Sequence, residues 1–311
     1  MKLIKPNFWD YKKPNFLSYI LLPFTLPILL NNFFLNKGKG KDKDKVKKIT
    51  NICIGNIYLG GTGKTPLSIK VNQILKNLDF NVAVIKKFYK DQVDEQTLIG
   101  KTSKLYCFKK RMTGLTQALN DGVDIAIYDD GLQDKTINYD LSFVCFNNTK
   151  WIGNGFLIHD GPLREKITSI AKYDAVFLNG KKKNNLKLNL LIKKYNQNIK
   201  IFETYYEPKN IDQFTSDKYL IFSGIGNPHS FREVLIKNKL NIVKEIKFPD
   251  HHKYTKKEIN NIKQQAKDLN AKILTTEKDY VKINDNEIKF LKINVVIRNE
   301  NEFINFLKAK I

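Results

Sequence analysis

From Ile49 onward the chain carries short, continuous apolar runs rather than alternating ones: ITNICIGNI at 49–57, NVAVI at 81–85, DIAIY at 124–128, LSFVCF at 141–146 and AVFL at 175–178. Runs of this length and composition predict strands buried on both faces. Between them lie segments with helical spacing, such as Pro66 to Leu78. Strands alternating with helices predict a mainly parallel sheet covered on both sides. A second series begins near Lys218 with KYLIFSGIGNP, continues through predicted helices at 230–239 and 256–269, and includes the runs AKILTT and KINVVIR. It reads as a smaller α/β domain, with the boundary in the Pro-, Asn-, Asp- and Gln-rich stretch 206–215. No internal repeat is evident.

The N-terminus is different. Pro14 to Asn36 carries no charged residue, and Phe16 to Leu35 approaches the length of a membrane span. Pro23 and Pro27 remove helical donors, Asn31 and Asn32 place amides near one end, and lysines flank both sides: Lys2, Lys5, Lys12 and Lys13 before, a Lys-rich stretch from Lys37 to Lys48 after. A cleavable leader is disfavoured because the first Ala in the chain is Ala83. The pattern favours a segment lying in the cytoplasmic interface, apolar side chains in the acyl boundary and lysines among anionic head groups. A buried N-terminal helix pair is the alternative. Gly38–Lys48, GKGKDKDKVKK, is a charged linker. The expected organisation is therefore an interfacial segment at 1–36, a larger domain at 37–208 and a smaller one at 209–311.

Composition narrows the classes. The 311 residues hold 54 Lys plus Arg against 31 Asp plus Glu, a formal charge of +23, with 42% hydrophobic and 12% aromatic residues. Such a chain folds, and its length suits two domains. Cys53, Cys107 and Cys145 are far apart and odd in number, which suggests neither a disulfide framework nor a Cys-rich zinc site. The Lys excess is spread along the chain and interleaved with Asn and Ile, so it reads as a solvated surface facing anionic lipid or a phosphorylated substrate; no nucleic-acid partner is expected.

The strongest chemical signal is Gly60-Gly61-Thr62-Gly63-Lys64-Thr65, between a strand and a helix whose first turn holds Pro66. Glycines let successive N–H groups turn toward phosphate oxygens, Lys64 reaches the terminal phosphates, and the Thr65 hydroxyl is placed for Mg²⁺. The usual first glycine of G-x-x-x-x-G-K-[ST] is Tyr58 here. Asp129 and Asp130 end the DIAIY strand and supply carboxylate for the metal. No N-K-x-D for guanine appears, and DDG is not D-x-x-G, so ATP is the expected nucleotide. The fold expected is a P-loop NTPase-like α/β domain with a second, smaller α/β domain and an N-terminal membrane-interface helix. A dinucleotide oxidoreductase would need G-x-G-x-x-G, which is missing. The loop and the positive charge by themselves also suit a P-loop ATPase or a nucleic-acid-associated switch protein, which stands as the alternative reading.

Further stretches make the reading specific: GNIYLGGTGKTP at 55–66, DDGLQ at 129–133, GNGFLIHDGPLRE at 153–165, GIGNPHSF at 224–231, FPDHHKYT at 248–255 and TTEKDYVKI at 275–283. In this order they resemble the tetraacyldisaccharide 4'-kinase (lipid A 4'-kinase) family. The resemblance implies transfer of the ATP γ-phosphate to the 4'-hydroxyl of an acylated glucosamine disaccharide at the cytoplasmic face of the bacterial inner membrane, with Mg²⁺. It also implies roles. Lys64 and residues 60–65 bind ATP; Thr65, Asp129, Asp130 and Glu165 form the metal shell; Asn56, Tyr89 and Arg164 meet substrate. Asp94 is the candidate base, with His251 orienting or tuning it across the domain cleft. Two departures stand out. KKFYK at 86–90 followed by VDEQ replaces the family's S-R-G-Y-G and G-D-E-P, and Asp134 occupies the position of the family's His in DDGLQH.

Overall fold

The runs without polar alternation form the middle of a sheet because neither of their faces meets water. A computed structural model of the chain describes residues 6–25, 49–181, 185–214 and 217–311. Pro27, Asn31, Asn32, the Gly38–Lys48 linker, Lys2 and Lys5 lie outside the described residues. Among the described residues the chain divides into two compact units, one from the parts of 1–87, 103–205 and 297–311, the other from 88–102 and 206–296. Set against boundaries at 37–208 and 209–311, residues 88–102 go with the second unit and 297–311 with the first.

The first unit begins with α1 (Phe16–Leu21), capped by Asn15, whose side chain accepts the Ser18 N–H at 3.1 Å. Phe16, Leu17, Tyr19, Ile20 and Phe24 are exposed. A buried helix pair is therefore not what the described part of this segment forms. It is anchored from below: the Asn154 N–H donates to the Trp9 carbonyl at 3.0 Å and Asn154 Nδ2 to Ser18 Oγ at 3.1 Å. Among the described residues no helix is long and apolar enough to cross a membrane.

The succeeding elements are β1 (Thr50–Gly55), α2 (Lys64–Lys76), β2 (Val82–Lys87), α3 (Val93–Gly100), β3 (Lys104–Phe108), α4 (Arg111–Asn120), β4 (Ile125–Asp129), β5 (Leu141–Asn147), β6 (Ala175–Asn179), α5 (Asn185–Tyr195) and β7 (Lys200–Pro208). Among the described residues the sheet order is β12-β7-β6-β5-β1-β4-β2-β3, where β12 is Ile293–Ile297. β1 pairs in parallel with both β4 and β5, and β2 pairs in parallel with β3 and β4. The carboxyl ends of β1, β4 and β2 are thus neighbours, where ligands of such sheets bind. α9 (Glu300–Lys308) closes one face, with Phe303 packed on Phe143, Phe177 and Phe202 at ring-centroid distances of 5.0–5.9 Å.

The second unit holds α3 and a four-stranded sheet in the order β11-β10-β8-β9, formed by β8 (Lys218–Ser223), β9 (Asn241–Lys247), β10 (Lys272–Thr276) and β11 (Ile288–Leu291). β11 pairs with β10, β10 with β8 and β8 with β9, all in parallel. Its helices are α6 (Pro228–Lys237), α7 (Lys256–Asp268), with a Thr255–Glu258 capping box, and α8 (Glu277–Ile283). The run KINVVIR was expected in this smaller sheet. As β12 it joins the edge of the larger one instead, because partner choice for a short apolar strand is a tertiary matter.

Candidate active site

In the first unit β1 runs into Asn56, fully buried, whose Nδ2 donates to Thr62 Oγ1 at 2.9 Å and so pins the glycine loop from inside. Gly63 (φ 89°) takes a left-handed conformation, which delivers the chain into α2 at Lys64. No side chain caps this helix start. Its first-turn N–H groups and its positive dipole end are available to an anion.

Asp129, the last residue of β4, is fully buried. Its Oδ2 accepts from Thr65 Oγ1 at 3.0 Å and from Lys86 Nζ at 2.6 Å, and its Oδ1 accepts from Ser68 Oγ at 3.1 Å. Lys86 reaches it because parallel pairing of β2 with β4 puts the two residues in register. Asp130 follows with φ 59° and lies 3.8 Å from Lys64 Nζ, while Arg164 donates to it at 2.7 Å. Burial alone would push its carboxyl up; Lys64 and Arg164 outweigh that and hold it at about 2. Arg111, buried at the start of α4, donates to the Asp130 carbonyl at 2.6 Å and to Asp134 Oδ2 at 2.9 Å.

Glu165 forms a neighbouring network. Lys172 Nζ donates to it at 2.6 Å, the Tyr173 hydroxyl at 3.1 Å and Gln133 Nε2 at 2.9 Å; Gln133 Nε2 also donates to the Asn56 carbonyl, and Gln133 Oε1 accepts from Arg164. Among the described residues no three His, Cys, Asp or Glu side chains are gathered as a metal site. Thr65 and Asp129, side by side with hard oxygen donors, suit Mg²⁺, which takes one or two protein oxygens and completes its shell with phosphates and water.

The second unit holds the other cluster. Asp94, in the first turn of α3, has a side chain only 1% exposed, and its Oδ1 accepts the Glu95 N–H at 2.9 Å. His251 Nδ1 lies 3.2 Å from both Asp94 oxygens. The imidazole is held by a left-handed backbone (φ 57°) whose N–H donates to the Gly224 carbonyl at 3.2 Å. Burial pushes the Asp94 carboxyl up, but the His251 contact and the charges of Lys278 and Lys282 bring it below its ordinary value. The pair was expected to meet across a domain cleft; both members belong to one unit, because residues 88–102 fold with it. His252 serves structure: it stacks on Phe248 at 4.7 Å and contacts Glu258 Oε1 at 3.0 Å.

The family model described as LpxK, tetraacyldisaccharide-1-P 4'-kinase, matches residues 21–311. The chain belongs to this family. It is similar to the tetraacyldisaccharide 4'-kinase of Pelagibacter ubique, with 49% identity over 99% of this chain and 98% of that protein, and to that of Rickettsia canadensis, with 33% identity over 97% and 95%. Its fold is similar to that of LpxK from Aquifex aeolicus, solved in complex with ATP, at a TM-score of 0.71 and 22% identity, covering 94% of this chain and 99% of that one.

Within this lipid A kinase the family-matched stretches occupy distinct places. GNIYLGGTGKTP, DDGLQ and GPLRE meet in the first unit, through Asn56, Gln133 and Arg164. FPDHH and TTEKDYVKI meet around Asp94 in the second. Tyr89, expected at substrate, is exposed, and its carbonyl accepts from Gln96 Nε2 ahead of α3. Asp130 and Glu165, expected in the metal shell, are held by basic side chains and by tyrosine and glutamine donors. Lys86, Ser68, Arg111 and Gln133 were not singled out. Lys86 had a signal, an ammonium ending a buried apolar strand; Arg111 had none.

Proposed function

We propose that this kinase transfers the γ-phosphoryl group of ATP to the 4'-hydroxyl of a tetraacylated glucosamine disaccharide 1-phosphate, giving lipid IVA in lipid A synthesis. The observation that carries the reading is the uncapped start of α2, with Thr65 on the buried Asp129 and Lys64 Nζ 3.8 Å from Asp130. The α2 amides and Lys64 take up negative charge on the β- and γ-phosphates. Thr65 and Asp129 would hold Mg²⁺, which supplies further neutralisation of the phosphate oxygens. Arg164, fixed by Asp130 and Gln133, is a bidentate-capable donor for phosphate or sugar oxygens. Asp94 accepts the acceptor hydroxyl's proton as the new P–O bond forms and the bond from the γ-phosphorus to the bridging oxygen breaks, releasing ADP, with His251 orienting the carboxylate. Asn56 shapes the loop, and Tyr89 is a substrate contact in this reading.

The exposed Phe16, Leu17, Tyr19, Ile20 and Phe24 suit a peripheral attachment to the anionic cytoplasmic face of the inner membrane, where the lipid acceptor resides. Incubation with γ-labelled ATP, Mg²⁺ and the acylated disaccharide 1-phosphate tests the activity. Label is expected in the lipid fraction and absent from it with Lys64→Ala. Release of label only as inorganic phosphate would favour a simple ATPase.

A further inference from the structure

The stretch TTEKDYVKI has no part in the mechanism above, yet it builds α8, whose Lys278 and Lys282 stand four residues apart on one helical face. Lys282 Nζ lies 3.6 Å and Lys278 Nζ 3.9 Å from the same atom, Asp94 Oδ2. Each is fixed by a second carboxylate. Lys282 Nζ is 2.7 Å from Asp279 Oδ1 and sits over the Tyr254 ring at 5.2 Å; Lys278 Nζ is 3.1 Å from Glu95 Oε1 and 3.2 Å from Asp250 Oδ1. Asp279 in turn is fully buried, accepting the Gly224 N–H at 2.9 Å and the Thr276 hydroxyl at 2.7 Å. The helix start and the loop that carries His251 are thereby tied to one another.

We propose that Lys278 and Lys282 are positioning residues that keep Asp94 anionic and aimed at His251, independently of the protonation of the imidazole. The inference rests on the assignment of Asp94 as base and extends it. A carboxylate with almost no solvent contact, next to Glu95 and sharing Lys278 with Asp250 and Lys282 with Asp279, is driven toward its neutral form unless cations face it. His251 supplies such a charge only while it carries both ring protons. Two ammonium groups supply it throughout the reaction, so the imidazole is left to orient the carboxylate. The groups facing Asp94 are then Glu95 from its own helix, Asp250 and His251 from the loop, Tyr254 beyond it, and Lys278 and Lys282 from α8.

The test is a direct titration of Asp94 by carbon NMR in the full-length, detergent-solubilised protein carrying ¹³C-carboxyl aspartate, with Asp94→Asn identifying the resonance. In Lys282→Met and in Lys278→Met the Asp94 midpoint is expected to rise by about one pH unit or more, the effect of removing an opposite charge at this range. Lys282→Arg is expected to return it toward the wild-type value. Two Met variants are used so that a folding defect in one leaves the other readable. Unchanged midpoints in the folded variants would overturn the proposal. The acid limb of kcat against pH, measured in parallel, separates the underlying assignment. A limb that moves with the carboxyl supports both; a limb that stays while the carboxyl moves contradicts Asp94 as base and leaves the lysines' effect on its charge established.

Discussion

Lys86 Nζ and Asp129 Oδ2, in register on adjacent parallel strands, form a 2.6 Å ion pair with side chains 2% and 0% exposed. Two ions this deep are stable only together. Lys86→Met leaves a buried carboxylate with only hydroxyl donors, Thr65 and Ser68. The expected cost is about 3–5 kcal/mol in urea unfolding. The double variant Lys86→Met with Asp129→Asn is expected to lose clearly less than the sum of its parts; strict additivity would show that the pair is not coupled.

Asp130 gives a pH signature. Its folded pKa of about 2 lies below the ordinary 3.8, so its contribution is complete above about pH 4 and disappears as pH falls toward 2. The difference corresponds to about 2 kcal/mol. Acid unfolding of Asp130→Asn is therefore expected to show a shallower loss of stability across that window than the wild type. Parallel curves would mean that Lys64 and Arg164 do not hold the carboxylate.

Replacement of Asp94 by Asn keeps shape and removes basicity. Turnover is expected to fall by about 10²–10⁴-fold with little change in either KM. Steady-state kinetics on both substrates decides it; a variant within a few-fold of wild type would withdraw the base assignment.

Much of the fold was legible where burial is complete on both strand faces. β1, β4, β5 and β6 are continuous apolar runs because helices cover both sides. β3 and β9 escape notice because they are edge strands, whose exposed residues break the apolar run into a polar one. The glycine loop ahead of α2 was legible because its signal is local, six consecutive residues between a strand and a helix. Asp94 and His251 are 157 residues apart, and only the resemblance joined them; spacing carries no such information. That residues 88–102 fold with the second unit is likewise set by tertiary packing, here of α3 against α8.

Gly153 anchors the N-terminal segment. Its φ of 59° is left-handed, and a Cβ there would meet the Trp9 carbonyl and Pro162. Gly153→Ala is expected to cost at least about 1–2 kcal/mol from backbone conformation alone. Limited proteolysis should then cut before residue 26 sooner than in the wild type. Unaltered cleavage would show that the close approach of Trp9 does not hold the segment.

The central claim is settled most directly by where the new phosphate sits. Product made from ATP and the acylated disaccharide 1-phosphate, examined by phosphorus–proton correlation NMR, is expected to show one new phosphomonoester coupled to the proton at the 4' carbon of the distal sugar. A phosphorus coupled to any other ring position, or no phosphorylated lipid beyond the starting monophosphate, would contradict the account.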